Sequence, residues 1–288
     1  MSKIRLITDT TSSLTKNECE ERGIECLETS YILDDELHYA FDEEEVSLPE
    51  FYKKLEVAKK ISTGCVNTDA FEQVFDKVAE SGDEAIYIGL SSALSATHSN
   101  AVVAANNINE KYGRNAITVL DSRSGSYGEL IFIDKIEELI NEGKSAQEIK
   151  EIIDADVANS AVAFVAPDLS FICKCGRLNA FEAKIGSLLR VVPIISPSKE
   201  DGKLKVVEKG IGMKLTMKKL KNRFVNYIKT RNHTRCYLAS CDMDKEIEEI
   251  RQYILENTDI KPEYIKVGYI DKTMSCCCGP RTISIFCC

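Results

Sequence analysis

The 288-residue chain has only three histidines (His38, His98 and His233) and no Cys-x-x-Cys pair. Those shortages remove the ligand spacings of zinc fingers and of thioredoxin-type redox sites. No apolar run approaches the roughly 20 residues needed to span a bilayer, so no transmembrane segment is expected. The opening MSKIRLITDTTSS has neither the apolar stretch nor the cleavage site of a secretory signal. It reads as a first strand, which points to a cytoplasmic protein. Positive charge is short as well: 37 Lys+Arg face 46 Asp+Glu, a net charge of −9. On average such a chain is repelled by nucleic acid and anionic membrane, so neither nucleic-acid binding nor stable membrane insertion is expected. One basic stretch, KLTMKKLKNRFVNYIKTR at 214–231, has the pattern of a solvated helix face. A docking surface for an acidic partner is the other reading of it.

Nucleotide and catalytic signatures are missing too. There is no Walker A sequence, no Gly-x-Gly-x-x-Gly after a strand, no Gly-x-Ser-x-Gly elbow and no His-Glu-x-x-His. Binding is favoured over catalysis, and neither a cofactor nor a metal is expected. What the chain does have is twelve cysteines, clustered at 173–175, 276–278 and 287–288. Their spacing fits no usual metal template, and reduced, partly buried thiols are the simpler account.

Hydrophobic content of 44% with 29% charged residues is ordinary for a globular protein. The first half repeats one unit, in which an apolar β-branched strand is followed by a hydroxyl-rich loop and a helix. IRLIT (4–8), EAIYIGL (84–90) and AITVLD (116–121) are the strands, and the helices after them carry apolar residues at helical spacing. Strands alternating with helices imply a parallel sheet flanked by helices, with ligands bound outside the carboxyl ends of the strands. After about residue 160 the pattern changes. Asp201-Gly202 between two apolar runs signals a hairpin, and helix and strand segments follow to residue 270. The expected class is α/β with two domains: 1–160 with the hydroxyl-rich loops, and 161–288 as a second α/β domain with a mixed or antiparallel sheet.

GLSSALSATHSN at 89–100 carries five hydroxyls without a Lys or Arg. A helix N-terminus favours an anion, and Ser and Thr add donors without adding charge. A polyphosphate would call for Lys or Arg as well, so a carboxylate or a neutral polar group fits better. Helix capping accounts for one hydroxyl per loop and five exceed that need, which leaves capping and ligand binding both open. Asp9 and Asp121 each end a strand, where they orient hydroxyls or cap the next helix.

The motifs ITDTTSSLT (7–15), STGCVNTDAF (62–71), LSSALSATHSNA (90–101), VLDSRSGSYG (119–128), DLSFICKCGRL (168–178), GSLLRVVPII (186–195) and CCGPRTISIF (277–286) occur in this order. Together they resemble the DegV family, whose characterised members bind fatty acids and form the lipid-carrying subunit of bacterial fatty acid kinase. The resemblance implies two α/β domains with a long-chain fatty acid in an apolar tunnel near their junction. It implies that Thr63 and Ser92, with Ser62 and Ser91 beside them, hold the carboxylate, and that a separate ATP-dependent kinase subunit is the partner. Phe164, Val165, Phe171, Ile185, Leu188, Leu189, Ile194 and Ile195 are the candidate tail lining, with plain core packing as the competing account of each. Arg177 is assigned to phosphate or kinase contact, with a structural ion pair as the alternative.

The chain departs from the family pattern at three places. Thr63-Gly64-Cys65-Val66-Asn67 replaces a common Thr-Ser-Gln-Pro-Ser, and Cys175 replaces the first Gly of a Gly-Gly-Arg turn. Cys277 stands where a His is common, and Arg281 stands where Gly-Pro-Gly ends. Cys277 and Arg281 therefore join Arg177 as candidate phosphate or kinase contacts. Two other classes remain: a small-molecule kinase subunit of the dihydroxyacetone kinase type, using His98, and a thiol-based metal or redox protein.

Overall fold

A computed structural model describes residues 3–42, 46–178 and 191–288. The parallel sheet has the order β2-β1-β6-β7, from β1 (Ile4–Asp9), β2 (Glu25–Leu27), β6 (Glu84–Gly89) and β7 (Ile117–Asp121). Side chains alternate across a strand, so β6 is apolar on both faces. Ala85 and Tyr87 pack with Phe71 and Phe75 of α3 (Thr68–Glu80) and with Ala101 and Ala104 of α4 (Thr97–Tyr112). Ile86 and Ile88 pack on the other side, with Ile133 and Ile136 of α5 (Tyr127–Asn141) and Ile149 and Ile153 of α6 (Ala146–Asn159). A strand apolar on both faces is one covered by helices on both sides, as the sequence pattern predicts.

The second sheet has the order β10-β9-β8-β13-β11-β12. Its strands are β8 (Ala161–Val165), β9 (Val191–Pro197), β10 (Leu204–Ile211), β11 (Cys236–Ser240), β12 (Ile265–Tyr269) and β13 (Ile283–Cys287). All neighbours are antiparallel except β11 and β12, so the sheet is mixed. The Asp201-Gly202 turn joins β9 to β10, with Gly202 at φ +69°. One face is covered by the basic helix α8 (Gly212–Arg231) and by α9 (Asp244–Asn257), through Leu220, Phe224, Ile247 and Ile250. The other face meets α5, and Tyr237, Ala239 and Phe286 share one apolar cluster with Ile86 and Leu120 of the first sheet. Asp134 on α5 pins this junction, accepting from Arg22 at 2.7 Å, from Lys266 at 2.6 Å and from the Tyr237 hydroxyl.

A small sheet, β4-β3-β5, completes the described strands, from β3 (Ser30–Leu33), β4 (Glu36–Tyr39) and β5 (Ile61–Gly64). Asp34 and Asp35 form the β3–β4 turn at φ 49° and 75°, a left-handed pair that short acidic side chains tolerate. The remaining helices are α1 (Lys16–Arg22), α2 (Leu48–Val57), α7 (Ser170–Lys174) and α10 (Lys272–Cys278). Among the described residues no helix is long and apolar enough to cross a membrane.

Candidate functional site

The loops that leave β1, β6 and β7 converge on a cavity of about 210 Å³ shared with the second sheet. Thr11, the segment Leu94–Thr97 and Ser124–Ser126 line it from the first sheet, and Thr63–Cys65 from the end of β5. Val162, Phe164, Ile172, Pro197, Leu204, Ile270, Met274 and Phe286 form its apolar walls. Among the described lining residues Arg177 is the single charged one, and none of them is a carboxylate. Gly125 makes this shape possible: a Cβ there would lie 2.7 Å from Leu90 and 2.8 Å from Met274, both on the wall.

At one end, Thr63 Oγ1 lies 3.7 Å from Cys277 Sγ. Arg177 Nε donates to the Leu94 carbonyl at 3.0 Å, and its Nη1 donates to the Cys175 carbonyl. Asn100 Nδ2 donates to the Val66 carbonyl at 2.8 Å and so holds the β5 loop against the start of α4. Leu94 and Arg177 are thereby tied together near the Thr63–Cys277 contact, and Ser95 Oγ pairs with Thr97 Oγ1 at 3.0 Å. The first residues of α4 and the Ser126 cap of α5 also face the cavity, and the partial positive charge of helix starts favours an anion there. Ser124 Oγ, on the wall, is buried with no hydrogen-bond partner.

The structure separates the sequence candidates. Thr63 is on the wall, whereas Ser62, its neighbour in β5, is exposed and faces the other way. Ser92 donates from Oγ to Asp121 Oδ2 at 2.6 Å and from its N–H to Oδ1 at 3.1 Å. Ser91 is buried in the turn, its N–H given to the Ser124 carbonyl and its own carbonyl accepting from Leu94 and Ser95. Neither Ser91 nor Ser92 lines the cavity; Ser95 and Thr97 of the same loop do. Asp121 thus orients a serine, and Asp9 likewise accepts from the N–H and hydroxyl of Thr11.

On the apolar side, Phe164 is on the wall. In the β8–β9 register Val165 pairs with Ile194 and Phe164 with Ile195. Val165 and Ile194 therefore point to the opposite face, where they pack under α8, and Ile195 packs behind Phe164 with Leu204. Phe171 lies against Gly279, where a Cβ would come within 2.7 Å of its ring, and Ile172 reaches the cavity instead. Ile185, Leu188 and Leu189 lie outside the described residues. Arg177 and Cys277 are on the wall; Arg281 is exposed, at φ 60°. His98 is not on the wall, and among the described residues no three His, Cys, Asp or Glu side chains are grouped to hold a metal.

Behind Thr11 lies a polar network that the sequence does not disclose. Asp9 and Glu129 are fully buried. Thr8 Oγ1 is 2.8 Å from the Ile88 carbonyl and 2.9 Å from Glu129 Oε1. A hydroxyl has one proton and the Ile88 carbonyl has none to give, so a protonated Glu129 satisfies this contact and an ionised one does not. Burial, then the neighbouring Asp9, push the Glu129 carboxyl well above its ordinary range. Burial also raises Asp9, against hydrogen bonds from Thr11 and from the Tyr87 hydroxyl at 2.6 Å. Ser13 links this region to Asp271, which burial pushes up to about 7. Burial thus disfavours negative charge on all three acids behind the cavity.

A family model described as "Uncharacterised protein, DegV family" matches residues 3–288. The chain belongs to the DegV family. A DegV domain-containing protein of Clostridium perfringens is 26% identical over 286 residues, covering 99% of this chain and 97% of the other. One from Caldanaerobacter subterraneus subsp. tengcongensis is 30% identical over 214 residues, 74% of each chain. Among solved structures, "Fatty Acid Binding of a DegV family Protein from Thermus thermophilus" superposes with a TM-score of 0.84 at 23% identity, over 99% of both chains. The Streptococcus pneumoniae Fatty Acid Kinase B3 protein, loaded with linoleic acid, superposes with a TM-score of 0.81 at 18% identity, also over 99% of both. At these identities the structural likeness shows that this DegV chain shares their fold.

Proposed function

We propose that this DegV chain binds a long-chain fatty acid in the cavity and presents its carboxylate to a separate ATP-dependent kinase for acyl-phosphate formation. The observation that carries this reading is the character of the wall: apolar side chains interspersed with neutral hydroxyls, with one Arg and no carboxylate among the described lining residues. Each methylene of a tail gains roughly 0.8 kcal/mol on leaving water, which suits a long chain. Thr63 and Ser95 hold the carboxylate in this reading, and Arg177 supplies the positive charge. Ser62, Ser91 and Ser92 act on the shape of the loops rather than on the ligand. Hydroxyl donors hold a carboxylate without enclosing it, which leaves an oxygen free to accept a phosphoryl group. Cys277 takes the place beside Thr63 where the family commonly has His, and exposed Arg281 is available to the kinase. The chain acts inside the cytoplasm, where ATP is supplied.

Native mass spectrometry of the purified protein, followed by solvent extraction, tests the reading. One long-chain acid per chain is expected, or saturable uptake of one by delipidated protein. Protein that arrives empty and refuses both saturated and unsaturated long-chain acids overturns it.

A further inference from the structure

We propose that Cys277 is a peroxide-reactive thiol and Cys175 its resolving partner, which makes the Thr63 end of the cavity a reversible dithiol–disulfide site. The chemistry does not depend on which ligand the cavity takes. Four thiol pairs are in contact: Cys19 with Cys26, Cys236 with Cys287, Cys241 with Cys278, and Cys175 with Cys277. In the first three, at least one sulfur is buried in an apolar core, out of reach of a dissolved oxidant. Only Cys175 and Cys277 are both part-exposed. They come from different elements, Cys175 at the end of α7 and Cys277 in the last turn of α10.

The surroundings of Cys277 suit a thiolate. The Cys175 thiol neighbours its sulfur and reaches the Cys276 carbonyl at 3.8 Å, Thr63 Oγ1 lies 3.7 Å away, and the Arg177 guanidinium is held nearby by the Leu94 and Cys175 carbonyls. The neighbouring Cys175, Thr63 and Arg177, against burial, bring the Cys277 thiol down to about 7. A nucleophilic thiol beside a second thiol is the arrangement that peroxide oxidises reversibly.

In the first step the Cys277 thiolate attacks one oxygen of hydrogen peroxide. The O–O bond breaks, hydroxide leaves and is protonated to water, and Cys277 becomes a sulfenic acid. The Cys175 sulfur then loses its proton and attacks the Cys277 sulfur. The S–S bond forms, the S–O bond breaks, and the departing hydroxide takes up a proton as water. Two thiols have given up two electrons and two protons, and one peroxide has become two waters. Excess dithiothreitol reverses the change by thiol–disulfide exchange.

The test treats the full-length protein with limiting hydrogen peroxide in the presence of dimedone, which traps sulfenic acids. Intact mass and peptide mapping then read the outcome. Wild type is expected to lose two hydrogens, to yield a Cys175–Cys277 linked peptide and to carry no dimedone. Cys175→Ser keeps a hydroxyl donor beside Cys277 and is expected to accumulate the dimedone adduct there, whereas Cys277→Ser gives neither product. Wild type alone supplies a second measurement: brief iodoacetamide treatment at neutral pH should label Cys277 about 10-fold or more faster than its neighbour Cys278. A first disulfide between any other pair, or equal labelling of Cys277 and Cys278, overturns the proposal.

Discussion

The hydroxyls held by Asp9 and Glu129, of which Thr11 also borders the cavity, and those of Thr63 and Ser124 on the wall are the same residue types in two different situations. Thr8 and Thr11 lie 2.9 Å and 3.1 Å from Glu129, and they hold the interior together. Thr63 has only a sulfur at 3.7 Å, and Ser124 has no partner. What separates the two is the neighbouring acid. Other wall hydroxyls are held without an acid: Ser95 shares a contact with Thr97 at 3.0 Å, and Thr282 and Ser284 donate to backbone carbonyls. Within a single loop, Asp121 takes Ser92, while Ser95 on the wall accepts from the Thr97 N–H at 3.2 Å.

The largest effect should come from putting an acid where the wall has none. Phe164→Asp sets a carboxylate against the apolar path of the proposed tail, and an unpaired buried charge costs several kcal/mol. Affinity for a long-chain acid should fall more than ~100-fold, measured by titration of delipidated protein. Folding should survive, since Phe164 is only partly buried. Retained affinity would place the tail elsewhere.

Breaking the other side of the comparison should cost stability. Glu129→Ala removes the partner of Thr8 and Thr11 and leaves a hole, for a loss of about 2–3 kcal/mol in denaturant unfolding. Glu129→Gln keeps a donor and an acceptor in the same place, as the protonated acid does, and should cost well under half as much. Equal losses would mean that the Glu129 proton is not needed. Asp271 sharpens the point through pH. Its folded-state value near 7 lies above the ordinary 3.8, so the folded protein holds this proton more tightly than the unfolded chain. The resulting stability is fully present below about 4 and is lost as pH rises through about 7. Asp271→Asn can still accept from the Met274 N–H that Asp271 caps, and it should flatten the melting temperature between pH 5 and 8.

Much of the architecture was legible in the sequence because burial repeats. Apolar β-branched runs at 4–8, 84–90 and 116–121 announce the parallel sheet, and Asp201-Gly202 announces the β9–β10 hairpin. The β3–β4 hairpin was not legible, because its turn is Asp34-Asp35 and carries no glycine signal. Nor was the central place of β13, a terminal segment whose pairing with β8 and β11 is set by contacts far along the chain. On the cavity wall, Thr63 and Phe164 could be picked out from motifs, but not that Ser95 lines it and Ser92 does not. That difference rests on Asp121, which sits 29 residues from Ser92 and adjoins it only because β6 and β7 pair. Ile194 and Ile195 show the same limit. Both are fully buried, and only the β8–β9 register tells which shares a face with Phe164.

The smallest effects test the division within the serine loop. Thr63→Val keeps the shape of the side chain and removes the hydroxyl, so it should weaken fatty-acid binding about 10-fold, the loss of one hydrogen bond to a charged group. Ser95→Ala should act in the same direction. Ser92→Ala removes a hydrogen bond to Asp121 at the exposed edge of the loop. It should lower the melting temperature by a few degrees and change affinity by less than about twofold, because the N–H of residue 92 still reaches Asp121. Isothermal titration and thermal unfolding of all three variants place each one on two axes, affinity and stability. Should Ser92→Ala prove the strongest binding mutant while Ser95→Ala is silent, Ser92 must turn from Asp121 to the ligand on binding. In that case, proximity of an acid would not be what keeps Ser92 from the ligand.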